Sequence, residues 1–285
     1  MTTRVSVITP AFNAGHTISE ALFSAWNQTV RPDEAIVADD GSTDDTAQRA
    51  QEAGATVLRL PRGNGSIARN EAVKVADGEI LFFLDADDVW EPTKIERHLE
   101  VHARSESSVV LDRARPFVDS GVAPTWIAGL PGYGALRWQD LLNHKAWPTG
   151  SGFSVRKRHY DAVGGFNEQL TKFQDVDFWI RCIAENGDGY QVGDVLTRYR
   201  LSPGSVSKSA ARTEENLVAM FERWPFASAD DRAAMARIAF LLAAEQSSWP
   251  EALRYLTKAG WPINRRFFWK SLLVSLKRTM TPTSI

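Results

Sequence analysis

Short apolar runs alternate with stretches of helical spacing over the first ninety positions of the chain. Val5–Thr9, Glu34–Ala38, Thr56–Leu60 and Glu79–Leu84 read as strands. Thr17–Asn27, a segment opened by Ser42 with Asp45 three positions on, and Ser66–Ala76 read as helices. This βαβα order predicts an α/β fold, a mostly parallel central sheet flanked by helices. Ligands of such sheets collect outside the carboxyl ends of the strands. The segments Thr9–Asn13, Asp39–Ser42 and Asp85–Asp88 all follow strands and are expected to share one rim.

The middle of the chain, roughly 112 to 165, carries Pro116, Pro124, Pro131, Pro148 and several glycines, and is expected to be loop-rich. A helix is predicted over Asp175–Glu185 and a strand over Tyr190–Tyr199. Beyond about residue 210 the pattern turns helical. Ser228 with Asp231 opens one helix; Ser248 with Glu251 and Pro250 opens another that Gly260 closes. The expected organisation is a catalytic domain over 1–210 and a helical C-terminal extension over 211–285.

Composition adds limits more than direction. Of 285 residues 44 % are hydrophobic and 24 % charged, enough for a full core without disulfides. The single cysteine, Cys182, lies in a helical pattern and is expected in the core. No signal segment precedes the first strand and Ile238–Ala244 is too short to span a bilayer, so the expected location is cytoplasmic. The net charge of −2 is unevenly spread: Ala252–Ile285 holds seven basic residues and no acid. With no basic face in the acidic remainder, nucleic acid is not an expected partner. Within the tail, Trp269, Leu272, Leu273 and Leu276 form an apolar stripe at helical spacing, with Arg266, Lys270 and Lys277 on one flank. Such a helix either docks onto the domain or lies on an anionic membrane surface.

Three acidic segments carry the candidate chemistry. Ile80–Leu84 delivers Asp85, Asp87 and Asp88 to a strand end, where mutual repulsion calls for a cation. Oxygen-rich sites of this kind suit Mg2+ or Mn2+ and substrate phosphates. In the turn Asp39-Asp40-Gly41-Ser42, one carboxylate could accept hydrogen bonds from a base or ribose. Asp175 is placed at a helix start facing the rim, either as a proton acceptor for a hydroxyl or as a plain N-cap. Gly63-Asn64-Gly65-Ser66-Ile67-Ala68 fits a dinucleotide fingerprint, but follows the third strand instead of the first.

Taken in order, Ser6–Asn13, Asp39–Ser42, Asn64–Ser66 with Ala68–Asn70, Leu84–Asp88, Gly164–Asn167, Gln174-Asp175, Tyr199-Arg200 and Pro203–Ser205 resemble the family-2 glycosyltransferases. The resemblance implies the GT-A (nucleotide-diphospho-sugar transferase) fold and inverting transfer from a nucleotide-sugar donor, UDP-linked by expectation. It implies that Pro10, Ala11 and Phe12 line the nucleotide pocket, and that Asp40 or Asp39 bonds the base. Arg69 and Asp85-Ala86-Asp87 would hold the rest of the donor, with Asp85 near the ribose and Asp87 the ligand of Mn2+ or Mg2+. Asp175 would be the general base. The acceptor would be a glycan or a lipid-linked glycan, in polysaccharide or glycoconjugate synthesis. Two departures stand out: Gln174 replaces a frequent Glu, and Leu201-Ser202 follow Arg200 where the family often has a His. The alternatives are a catalytically silent sugar-nucleotide-binding protein of the same fold, and a dinucleotide-dependent oxidoreductase.

Overall fold

The computed structural model describes residues 3–143, 148–201, 213–232 and 234–235. The chain divides into two compact units, Met1–Pro203 and Gly204–Ile285. The expected boundary near 210, the helix opened by Ser248 and the basic stripe of the tail lie outside the described residues.

The first unit is built on a nine-stranded sheet. Its N-terminal half is parallel, as the alternation predicts: β3 (Thr56–Arg59), β2 (Glu34–Asp39), β1 (Val5–Ala11) and β4 (Ile80–Phe83) lie side by side in that order. The connections run through α1 (Ile18–Trp26), α2 (Thr46–Glu52) and α3 (Gly65–Val75). Beyond β4 the sheet is mixed. β8 (Phe153–Arg156) inserts antiparallel between β4 and β6 (Val109–Phe117). β9 (Gly189–Arg200) then runs parallel to β6 and carries β5 (Val89–Trp90) and β7 (Gly134–Leu136) antiparallel.

The middle of the chain is therefore less loop-rich than its prolines suggest. It contributes β6, β7 and β8, with α5 (Trp138–Asn143) and α6 (Lys157–Ala162). β8 is a four-residue strand buried in the sheet, and such a short run has no periodicity of its own.

Successive side chains of a strand point to opposite faces, and β4 uses this to anchor both. Phe82 meets Trp90 and His98 on one face, with ring centroids 5.9 and 5.4 Å away. Phe83 stacks on Phe153 at 4.6 Å on the other, inside a cluster with Phe166 and Phe178. Burying each phenyl ring contributes ~1.5–3 kcal/mol. The cluster thus fixes α7 (Gln174–Asn186), which carries Phe178, to the same strand that leads into Asp85. Cys182 is buried on α7, as expected, and burial pushes its thiol up to about 12. α4 (Lys94–Arg104) is a further helix of this unit.

In the second unit, α8 spans Thr213–Glu222. The capping box read at Ser228 is present: its Oγ accepts the Asp231 N–H at 3.2 Å while Asp231 Oδ2 accepts the Ser228 N–H at 2.9 Å. Among the described residues, no helix is long and apolar enough to cross a membrane.

Candidate active site

The carboxyl ends of β1 and β2 lie together, Ala11 opposite Asp39, and the Asp40 N–H donates to Ala11 O at 2.8 Å. The chain leaves β1 through Asn13 in the left-handed region (φ 49°). Ser42 stabilises that turn: the Asn13 N–H donates to Ser42 Oγ at 2.9 Å, and the Thr43 N–H donates to Asn13 Oδ1 at 2.9 Å. Asp44 Oδ2 accepts the Gly15 N–H at 3.0 Å, and burial fails to offset the bonds from Thr46 and Gly15 that hold its carboxyl below the usual range. Ser42 is thus no helix cap. α2 starts at Thr46, behind Asp45, because the hydroxyl of Ser42 is taken by the neighbouring loop.

This knot holds Phe12 on the rim, 43 % exposed, with the Arg62 guanidinium 3.6 Å over its ring. Arg62 also pairs with buried Asp40, whose Oδ1 accepts the Gly63 N–H at 2.6 Å. Asp39 is buried too, and its Oδ1 accepts the Ser42 N–H at 3.0 Å. Pro10, Ala11, Phe12, Asp39 and Asp40 therefore form one cluster. The fingerprint-like Gly63–Ala68 segment is occupied internally: Gly63 serves Asp40, and Asn64 Oδ1 caps α3 by accepting the N–H groups of Ser66 and Ile67. Those amides are not offered to a dinucleotide.

At the end of β4 the Leu84 N–H donates to Ile8 O at 3.0 Å, and the Asp85–Asp88 turn follows on the same rim. Asp88 is fully buried. Its Oδ2 accepts from Ser151 Oγ at 2.6 Å, and its Oδ1 accepts the Arg200 N–H at 2.9 Å. Burial, then the charges of Asp87 and Asp85, push Asp88 well above the carboxylate range. Arg200 Nε donates to Asp87 O at 2.7 Å while its guanidinium pairs with Glu20 and Asp119. Burial, then the charge of Asp85, raises the Asp87 carboxyl to about 6.

α3 and α7 close the other side. Arg69 is 5 % exposed and donates to Asp85 Oδ1 at 2.5 Å and to Gln174 Oε1 at 3.4 Å. Its guanidinium stays above its ordinary range, since the charges of Asp85 and Asp175 outweigh the desolvation that opposes them. Gln174 also donates from Nε2 to Leu170 O at 2.8 Å, a bond that Glu could not donate. α7 starts after Phe173, held in the left-handed region (φ 60°), with no side-chain cap. Asp175 is inside the first turn, so it is not the N-cap. Its Oδ1 is buried without a hydrogen-bond partner. Burial raises the carboxyl to about 6, with Arg69 opposing and Asp85 adding to the rise.

Gly150 ties the two carboxylates together. A methyl group there would stand 2.8 Å from Asp85 Oδ2 and 3.0 Å from Asp175 Oδ2, so both acids face the same backbone atom. The sequence-predicted residues from four separate strand ends and helix starts are thus neighbours on one rim. Sequence reading assigned no role to Glu20 or Arg200. Only the Tyr199-Arg200 pair was a signal, and it did not show where the guanidinium goes.

The donor set fits a hard divalent cation of limited protein ligation. Among the described residues, no group of three or more His, Cys, Asp or Glu is arranged to hold a metal. Asp87, raised by burial and by a neighbouring negative charge, is the kind of carboxylate that a cation relieves. Mg2+ and Mn2+ commonly bind through one or two carboxylates plus substrate phosphates and water.

Comparison with known proteins gives the family and the fold. The model of the family described as Glycosyl transferase family 2 matches residues 6–164. Over 210 residues the chain is 26 % identical to the UDP-Glc:alpha-D-GlcNAc-diphosphoundecaprenol beta-1,3-glucosyltransferase WfgD of Escherichia coli, covering 72 % of this chain and 80 % of that one. In fold it is similar to S. aureus TarS 1-349 in complex with UDP-GlcNAc, with TM-score 0.69, 19 % identity, and 90 % and 80 % of the two chains covered. It is likewise similar to the mannosyltransferase PcManGT of Pyrobaculum calidifontis in complex with GDP-Man and Mn2+, with TM-score 0.64, 17 % identity, and 97 % and 81 % covered.

Proposed function

The chain belongs to glycosyl transferase family 2, and we propose that it moves one sugar from a UDP-linked donor to a hydroxyl of a lipid-linked or polysaccharide acceptor, with inversion and with a divalent cation. The observation that carries this reading is the Asp175 carboxyl, whose Oδ1 is buried without a hydrogen-bond partner and whose Oδ2 faces the same Gly150 as Asp85. A carboxylate so placed is a base awaiting a hydroxyl. The E. coli relative, named for a UDP-glucose donor and a diphosphoundecaprenol-linked acceptor, supports the choice of donor and acceptor class.

In this reading Phe12 and Asp40 or Asp39 hold the base, and Pro10 and Ala11 line its slot. Asp85, oriented by Arg69, meets the ribose, with Ala86 beside it. Asp87 would hold the cation, which when bound supplies positive charge to the diphosphate leaving group. Asp175 takes the proton of the acceptor hydroxyl as the hydroxyl oxygen bonds to the anomeric carbon and the bond from that carbon to the diphosphate oxygen breaks. A single displacement of this kind inverts the anomeric centre. The catalytic domain is assigned to 1–210 and the extension to 211–285. Attachment of the basic 265–278 segment to the cytoplasmic leaflet is proposed from its composition alone.

The deciding experiment is a panel of nucleotide sugars scored for nucleoside diphosphate release, with and without MnCl2. Release that depends on both a UDP-sugar and the cation is expected. Tight donor binding with no release under any acceptor supply would favour the silent sugar-nucleotide-binding protein instead.

A further inference from the structure

Ser151 belongs to none of the acidic segments, yet it joins more of the rim than any of them. Its Oγ accepts the Asp85 N–H at 2.9 Å and donates to Asp88 Oδ2 at 2.6 Å, so one hydroxyl spans the Asp85–Asp88 turn. Its carbonyl accepts from Trp90 Nε1 at 2.9 Å and lies 3.4 Å from Thr197 Oγ1. Thr197 in turn donates to Asp112 Oδ1 at 2.9 Å, and Asp112 is paired with fully buried Lys94. The serine thus rests on a polar cluster in the core and has no exposed surface of its own. A Cβ on its chain neighbour Gly150 would stand 2.8 Å from Asp85 Oδ2 and 3.0 Å from Asp175 Oδ2. A shift of this backbone by a few tenths of an ångström would be felt by both carboxylates.

We propose that Ser151 is a positioning residue that holds the Asp85–Asp87 turn at its working distance from Asp175, so that cation-assisted binding of a nucleoside diphosphate depends on its hydroxyl. The inference rests on the donor-site assignment above. The physical reason is specific. Without the Oγ, the Asp85 N–H and one Asp88 oxygen lose their shared partner, and a buried polar group without a partner forces local rearrangement. Asp85 is the residue that would move, because Asp88 Oδ1 and Asp87 O remain tied to Arg200.

The test compares UDP binding to the full chain by calorimetry, with and without MnCl2, for the parent, Ser151→Ala, Ser151→Thr and Gly150→Ala. Thermal melts and UDP-sugar turnover are measured on the same preparations. We expect Ser151→Ala to weaken Mn2+-dependent UDP binding about tenfold while binding without Mn2+ changes little. Ser151→Thr, which keeps the hydroxyl, should restore most of the loss. Gly150→Ala should lower turnover at least tenfold through the methyl group set against Asp85 and Asp175. A lower melting temperature for Ser151→Ala with parent-like Mn2+ dependence overturns the proposal and leaves the donor site standing. A parent that binds no UDP at all overturns the donor-site assignment, and the proposal with it. If Ser151→Ala does not fold, parent-like turnover and Mn2+ dependence in Gly150→Ala overturn it equally.

Discussion

Arg69 and Asp85 form a short ion pair, 2.5 Å from Nη2 to Oδ1, between the first turns of α3 and the end of β4. The arginine is buried and the aspartate 30 % exposed, so the pair lies at the floor of the rim and opens on one side to solvent. Arg69→Ala should cost less than the ~3–5 kcal/mol typical of breaking a fully buried pair, because water reaches Asp85. It should also move the acid limb of the rate profile upward, since Arg69 opposes the rise of Asp175. A pH–rate series on the variant, with its melting temperature, checks both.

Asp87→Ala should abolish transfer and remove the Mn2+-dependent part of UDP binding. A chelator should do the same to the parent. Calorimetry with UDP alone and with UDP plus MnCl2 reads the effect, and chelator-resistant transfer by the parent would sink the assignment.

Asp175→Asn preserves shape but cannot take up the acceptor proton. Turnover should drop by ~10²–10⁴-fold with donor affinity nearly kept. In the parent, Asp175 must be ionised, so kcat/KM should rise with pH through about 6 and then level. Stability responds in the opposite sense. With its pKa raised to about 6 in the fold, the carboxyl binds more protons folded than unfolded, and stability is lost as pH climbs from about 4 to 6. The Asn variant lacks that loss, and should melt higher than the parent at pH 7.5, the gain vanishing near pH 4. Melts at the two pH values decide it.

Gly165→Ala tests a close backbone approach behind Arg69. Gly165 has φ +67°, and a methyl group there would stand 2.7 Å from Asn70 Oδ1 and 2.8 Å from Tyr160 Oη. Asn70 Oδ1 already accepts from Tyr160 Oη at 2.5 Å and from the Phe166 N–H at 2.9 Å. Strain at the glycine of roughly 1–3 kcal/mol, plus the lost bonds, should lower the urea midpoint while leaving the pH dependence of the folded fraction unchanged.

The basic tail should bring the chain to anionic vesicles at low salt, each basic residue contributing ~1 kcal/mol near the surface. A variant with Arg266→Glu, Lys270→Glu and Lys277→Glu should not pellet with them. If the parent fails to pellet at low salt, the membrane attachment is wrong.

Much of this protein was determined within short windows of sequence. The apolar run Ile80–Leu84 could end only in a turn, and its carboxylates had to emerge at the carboxyl edge of a parallel sheet. The buried place of Cys182 and the Ser228–Asp231 box are equally local, since periodicity and capping act over three or four residues. What tertiary structure alone decided are the partners. Ser42 could have capped a helix, but Asn13, far back in the chain, takes its hydroxyl. Asp175 could have been a cap, but Phe173 adopts the left-handed turn and leaves the acid free to face Gly150. β8 enters the sheet between strands that flank it by dozens of residues, and with it come Gly150 and Ser151. Hydrogen bonds and burial depend on distance in space, and the pattern along a chain records only the near part of that distance.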